Sequence, residues 1–341
     1  MQQVIRGENS LLQAGEAIRK AGCTSVFVIT GEHFHLYEQP VFLEKLSVRS
    51  YKKRGTNVEE QEILSALAAF NDEPGAALLA IGGGSVIDLA KAVIYKQVQS
   101  SLSIPFFIAA PTTAGSGSEA THFAVVYQGK KKISLAHPQL LPQVVVLDPE
   151  LTYSLSAYQT AVSGMDVLAQ AVESYWNKNA TAGSKDYASH AIHLWRENFL
   201  KAVHFPSGEA REKMLLAAHL AGKAINITRT TGPHALSYFL TANHHVPHGQ
   251  AVALFLPLFF IYNSPGNELC SLLEVSGPPA AKEMIRQVMR DAGLKTTMAE
   301  LGINKTTIID ALLDEVNEER FANNPVAFDR DRLKELIMQY L

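Results

Sequence analysis

Cysteine is scarce in this chain: its 341 residues carry two thiols, Cys23 and Cys270. Neither lies in a C-x-x-C or Cys/His zinc spacing, so no disulfide framework is expected. A reducing cytoplasmic compartment is the simplest expectation, and neither thiol is a candidate nucleophile. An excess of one charge is lacking too. Lysine and arginine number 30 against 33 acidic residues, a net −3, and without a basic surplus nucleic acid is not an expected partner. Long apolar runs are missing as well. The longest, Ala251 to Tyr262, is interrupted by Pro257 and falls short of the roughly 20 residues a membrane-spanning helix needs. The N-terminus shows no basic stretch followed by an apolar segment, so it does not resemble a secretory signal. No internal repeat or low-complexity tract is present.

What is there is a chain with 47% hydrophobic residues, long enough for two domains, since single cores stop growing near ~250–300 residues. In the first half, apolar runs alternate with helical patterns: Ser25–Thr30, a helix over Val58–Phe70, Ala77–Ile81, a helix from Ser85, Pro105–Ala109 and Gln143–Leu147. Such alternation predicts a parallel sheet with crossover helices. The segments His122–Tyr127 and Lys131–Leu135 flank Gln128-Gly129-Lys130, which reads as a hairpin turn. Beyond Asp148-Pro149-Glu150 the period changes. Ala188, Ile192, Trp195 and Phe199 recur at helical spacing, as do Met214, Ala218, Ala221 and Ile225. The expected organisation is an α/β nucleotide-binding domain over residues 1–150 and an all-α metal and substrate domain over 151–341.

Two loops carry chemistry in the first half. In Ala80-Ile81-Gly82-Gly83-Gly84-Ser85-Val86-Ile87-Asp88 a buried-type strand runs into three glycines and then a helix. Backbone N–H groups there can approach an anion at a positive helix terminus. The GxGxxG fingerprint is absent, and a merely tight connection is the bland alternative. A second loop, Pro111-Thr112-Thr113-Ala114-Gly115-Ser116-Gly117-Ser118-Glu119, follows the next strand. Ligands of open α/β sheets bind at that carboxyl edge, so the pair of loops favours a dinucleotide.

The second half offers metal ligands. Asp166 and Gln170 are four residues apart and share one helix face. His234 and His248 each follow a proline, so the chain is expected to turn between them and return two imidazoles to a common point. A carboxylate with two imidazoles suits a catalytic divalent cation that keeps a position open. The competing reading makes Asp166 a helix cap, Gln170 a solvated side chain and the histidines packing residues.

Taken in order, Gly82-Gly83-Gly84-Ser85-x-x-Asp88, the Pro111–Glu119 loop, Leu147-Asp148-Pro149-Glu150, Gly164-Met165-Asp166 and Pro247-His248-Gly249 resemble the iron-containing (group III) alcohol dehydrogenase family. The resemblance implies a dehydroquinate synthase-like architecture, a divalent metal (Fe2+ or Zn2+), NAD or NADP, a small aldehyde or alcohol substrate, and a homodimer. It assigns cofactor contacts to Gly31, Gly82, Gly83, Gly84, Ser85, Asp88, Thr112, Thr113, Ser116, Ser118 and Lys132. Metal ligation falls to Asp166, Gln170, His234 and His248, with Tyr238 and His248 as catalytic candidates.

Several positions depart from the family pattern. Gln170 stands where members usually have a histidine, and Tyr238 where many have another. Gly31 replaces the aspartate that favours NAD, which inclines the expectation towards NADP, with Glu32 as a possible substitute. Lys223 and Arg229 introduce cations near the metal ligands and suggest an anionic substrate. The stretch Ala217 to His248 resembles the phosphonoacetaldehyde reductase branch. Two other readings stay open here, a sugar-phosphate cyclase of the dehydroquinate synthase type and a metal-free nucleotide-binding relative.

Overall fold

The computed structural model describes residues 2–32, 34, 41–70, 75–129 and 131–341. Contacts divide the chain into two units, Met1–Ser154 and Leu155–Leu341.

The first unit is built on six parallel strands: β1 (Gln3–Arg6), β2 (Ser25–Thr30), β3 (Ser47–Lys52), β4 (Ala76–Gly82), β5 (Phe106–Pro111) and, after an intervening hairpin, β8 (Val144–Leu147). Their order across the sheet is β1-β8-β5-β4-β2-β3. Central strands β2 and β4 are buried at every position, as expected for parallel strands covered on both faces, and this is why they read as unbroken apolar runs. Alternate residues serve opposite layers. Phe27, Ile29, Leu78, Ala80 and Phe107 pack with α2 (Glu60–Phe70) and α3 (Gly84–Gln99). Val26, Val28, Leu79, Ile81 and Ile108 pack with Ile18 of α1 (Ala14–Lys20). Strands β1 and β3 were not anticipated. They lie at the two edges of the sheet, and their residues QVIR and SVRSYK are partly exposed, so no apolar run marks them. The hairpin is present as antiparallel β6 (Phe123–Gln128) and β7 (Lys131–Ala136). Lys130 of its expected turn lies outside the described residues.

The second unit is helical. Its helices are α4 (Ala157–Trp176), α5 (Ala182–His204), α6 (Gly208–Thr228), α7 (Gly232–His244), α8 (His248–Asn263), α9 (Asn267–Leu272), α10 (Pro278–Asp291), α11 (Lys305–Asp314), α12 (Glu318–Phe321) and α13 (Arg330–Tyr340). Local chemistry sets their starts. Ser156 with Gln159, and Thr181 with Ser184, form reciprocal capping boxes at α4 and α5. Gly164 faces the Phe199 ring and the Met214 methyl, where a side chain would collide, so α4 packs closely against α5 and α6. Helix α8 is buried at almost every position, the pattern of a helix surrounded by others. Pro257 sits within it rather than ending it. No described helix is long and apolar enough to cross a membrane.

Candidate functional site

One face of α4 organises the helical unit. Asp166, Gln170 and Glu173 sit at i, i+4 and i+7, so they line up along one face. Opposite them, Pro233 in the first turn of α7 presets the helical backbone and places His234 one residue further on. His245 closes α7 in a left-handed conformation, and Val246-Pro247 deliver His248 as the first residue of α8. Asp166, His234 and His248 then offer ligand atoms that all lie within 4.8 Å of one another. Asp166 and His234 are buried and His248 is half-buried. Asp166 is therefore an interior helix residue and not a cap.

The electrostatics of this cluster test whether a cation fits. His234 Nδ1 lies 2.5 Å from Glu173 Oε1, and its Nε2 lies 3.2 Å from Asp166 Oδ1. If Nδ1 donates to Glu173, a neutral imidazole turns its Nε2 lone pair towards a carboxylate. Two acceptors then face each other, which demands a positive charge between them. Burial pushes His234 down, but Glu173 and Asp166 outweigh it and raise its pKa to about 10. Asp166 is likewise pushed up by burial, yet the hydrogen bond from His234 and the charge of His248 hold it below its ordinary range. A divalent ion answers the same demand as that extra proton, so the donor set fits a metal. Gln170 hydrogen-bonds the Asp166 carboxylate.

Around the cluster, Tyr238 stacks near-parallel on His248, with ring centroids 6.0 Å apart and an interplanar angle of 22°. Glu173, fully buried, escaped the sequence reading. Its spacing from Asp166 and Gln170 was the available signal, but a glutamate late in a helix looks like a solvated residue until its neighbours are known.

In the first unit the glycine turn forms as expected. Gly83 precedes α3 in an extended conformation, no side chain caps the helix start, and no acidic residue occupies its first turn. Among the described residues, the positive end of the helix thus carries no side-chain cap and suits an anion. The two loops pack intimately: Thr112 N–H donates to the Gly82 carbonyl at 3.0 Å, and a Cβ on Gly84 would come within 2.5 Å of Ser116 Oγ. Thr113 lies over Gly83. This brings Gly82, Gly83, Gly84, Ser85, Thr112, Thr113 and Ser116 together at one sheet edge. At Gly31 an added Cβ would meet only Val86, at 3.6 Å, so packing does not demand glycine there.

Asp88 and Ser118 take a different part. Asp88 Oδ1 accepts from Ser118 Oγ at 2.5 Å and Oδ2 from the Val125 N–H at 3.0 Å, so this carboxylate braces the loop against the hairpin. Beside it lies Lys91, also missed in the sequence. It is fully buried, and its Nζ donates to the Ser118 carbonyl, Thr121 Oγ1 and the Phe123 carbonyl. Burial pushes the Lys91 ammonium down to about 8, against the pull of Asp88 and Glu119. Lys132 on β7 pairs across the hairpin with Tyr127, and its charge acts on Asp88.

Of the two cations expected near the site, Lys223 lies within α6 and Arg229 just beyond its end. Lys223 Nζ lies 5.4 Å from the centroid of the Tyr187 ring on α5. Arg229 ends α6 with φ 67° and ψ −180°, a backbone region populated almost entirely by glycine. Its carbonyl accepts from Asn177 Nδ2 at 3.2 Å. Burial lowers its pKa, as does the neighbouring charge of Arg320.

Known proteins place this arrangement. The family model for iron-containing alcohol dehydrogenase matches residues 2–149. The model for the C-terminal part of the Fe-containing alcohol dehydrogenase family matches residues 160–341. Long-chain-alcohol dehydrogenase 1 of Geobacillus thermodenitrificans is 29% identical over 94% of this chain and 90% of its own length. The 1,3-propanediol dehydrogenase of Klebsiella pneumoniae is 30% identical over 73% of this chain and 72% of its own. Among solved structures, sulfoacetaldehyde reductase from Bifidobacterium kashiwanohense in complex with NAD+ superposes with a TM-score of 0.91 at 26% identity, covering 99% of this chain and 96% of that one. With both halves matched and the whole fold shared, the chain belongs to the iron-containing alcohol dehydrogenase family and is an oxidoreductase.

Proposed function

We propose that this oxidoreductase reduces a small anionic aldehyde to a primary alcohol, with phosphonoacetaldehyde going to 2-hydroxyethylphosphonate as the leading candidate. The observation that carries the reading is the convergence of Asp166, His234 and His248, whose geometry calls for a cation. In this scheme those three side chains hold a divalent ion, while Gln170 either lends its amide oxygen or steadies Asp166. A bound ion supplies Lewis acidity to a carbonyl oxygen, and NAD(P)H supplies the hydride. The chain's own residues do the rest. The glycine turn and the Thr112–Ser118 loop bind the dinucleotide phosphates, and Tyr238, stacked on His248, offers the hydroxyl that delivers a proton to the nascent alkoxide. One aldehyde, one reduced nicotinamide and one proton give one alcohol and one oxidised nicotinamide.

Support for an anionic substrate comes from Arg229, kept in a backbone conformation that favours glycine, and from similarity to a protein named for sulfoacetaldehyde reduction. The missing carboxylate at Gly31 favours NADP, whereas that neighbour was solved with NAD+. A cytoplasmic homodimer belongs to the same reading and rests on the family resemblance.

The test is a panel of phosphonoacetaldehyde, sulfoacetaldehyde and propanal, followed through the absorbance of NADH and NADPH, with and without a chelator. We expect kcat/KM at least tenfold higher for an anionic aldehyde than for propanal, equivalent to about 1.4 kcal/mol, and loss of turnover on chelation. Equal turnover of propanal removes the anionic substrate, and activity surviving full metal removal removes the Lewis acid.

A further inference from the structure

Glu173 makes two sets of contacts with its two oxygens. Oε1 meets His234 Nδ1 at 2.5 Å, and Oε2 accepts from the Thr231 N–H at 2.5 Å and from Thr231 Oγ1 at 2.8 Å. The Thr228–Thr231 turn is gripped further by the end of the same helix and the residue that follows it. Trp176 Nε1 donates to Thr231 Oγ1 at 3.0 Å, and Asn177 Nδ2 donates to the Thr228 carbonyl at 3.0 Å. The C-terminal half of α4 therefore clamps the turn that carries Arg229, while its middle supplies Asp166.

We infer that Glu173 is a positioning residue that fixes His234 with Nε2 turned towards the metal position and passes the metal state on to the Arg229-bearing turn. The argument is one of donor and acceptor counts. A carboxylate offers only acceptors, so both of its partners must donate. His234 is thereby held with a proton on Nδ1, which leaves Nε2, 3.2 Å from Asp166 Oδ1, as the nitrogen that faces a metal. A cation at Nε2 polarises the ring, strengthens the Nδ1–H hydrogen bond, and tightens the carboxylate that also holds Thr231. A glutamine cannot substitute. Its single oxygen serves one side only, and its NH2 then faces either the Thr231 donors or His234 Nδ1. In the second case the imidazole shifts its proton to Nε2 and closes the metal-facing position.

This inference rests on the metal reading above, and the experiment separates the two. Zn2+ affinity is measured by competition with a chromophoric chelator for the wild type, Glu173→Gln and Thr231→Val, each checked by circular dichroism for an unchanged fold. The expected result is a loss of affinity of about 10- to 100-fold for Glu173→Gln, the range typical of such outer partners. Thr231→Val, which removes one of the donors to Oε2, is expected to lose several-fold. Amide hydrogen exchange over residues 226–234 should slow on Zn2+ binding in the wild type, and this response should vanish in Glu173→Gln. Should Glu173→Gln fail to fold, Thr231→Val carries the same comparison. Variants that bind Zn2+ as tightly as the wild type overturn the role of Glu173 while leaving the metal site intact. A wild type that binds Zn2+ with no change in exchange over 226–234 overturns the coupling. A wild type that binds no Zn2+ at all overturns the metal reading, and this inference with it.

Discussion

Arg229 shows how a single side chain is kept where the backbone disfavours it. A residue at φ 67° and ψ −180° costs of order 1–3 kcal/mol in any side chain but glycine. Arg229→Gly is expected to raise thermal stability by about 1 kcal/mol and at the same time raise KM for an anionic aldehyde at least tenfold, leaving propanal unaffected. Melting curves and steady-state kinetics check the two halves together. A variant that gains stability with no change in substrate preference removes Arg229 from anion recognition. At this scale the sequence was partly legible. Asp166, His234 and His248 stood out as candidates because their residue types can ligate metals, and the structure brings the three together. Glu173 and Lys91 did not, because a charged residue in a helix earns notice only when its burial is known.

Among the elements, α3 depends on a buried ammonium. Lys91 holds the Ser118–Phe123 segment through three acceptor residues, so it couples the glycine turn at the start of α3 to the loop beside it. Removing one partner of a buried charged network typically costs 3–5 kcal/mol, and Lys91→Met should lose roughly that much at pH 7. The pH dependence has a definite sign. The folded pKa of about 8 lies below the ordinary value of 10.5, so between those values the unfolded chain binds more protons and stability rises with pH. The advantage of the wild type over Lys91→Met should therefore grow from pH 8 towards pH 10.5 and shrink as pH falls through 8. Urea midpoints of the two proteins across that range measure it, and a constant gap refutes the burial cost. Element boundaries were readable where burial was complete, as in β2 and β4. They failed at β1 and β3, whose edge positions leave half of each strand in contact with solvent and break the apolar run.

For the whole molecule, the two units divide the chemistry between them. All three proposed ligands belong to Leu155–Leu341, and the open helix terminus belongs to Met1–Ser154. Ligand binding stabilises only what folds around it, by about 2.7 kcal/mol at a hundredfold excess over Kd. Zn2+ at that excess should raise the melting temperature, with exchange protection appearing in the helical unit. Chelation should leave AMP affinity unchanged, as read by calorimetry, and a parallel fall in AMP affinity would show that the units are coupled. The change of period beyond residue 150 made this two-part plan legible, since strands and helices bury apolar surface at different spacings. Because the three proposed ligands sit on one side of the Ser154–Leu155 divide, loss of an ion held by them would be a local and reversible lesion. On the proposed reading, a metal-starved cell would accumulate copies that keep their dinucleotide site yet turn nothing over, ready to be revived by a divalent ion without passing through the unfolded chain.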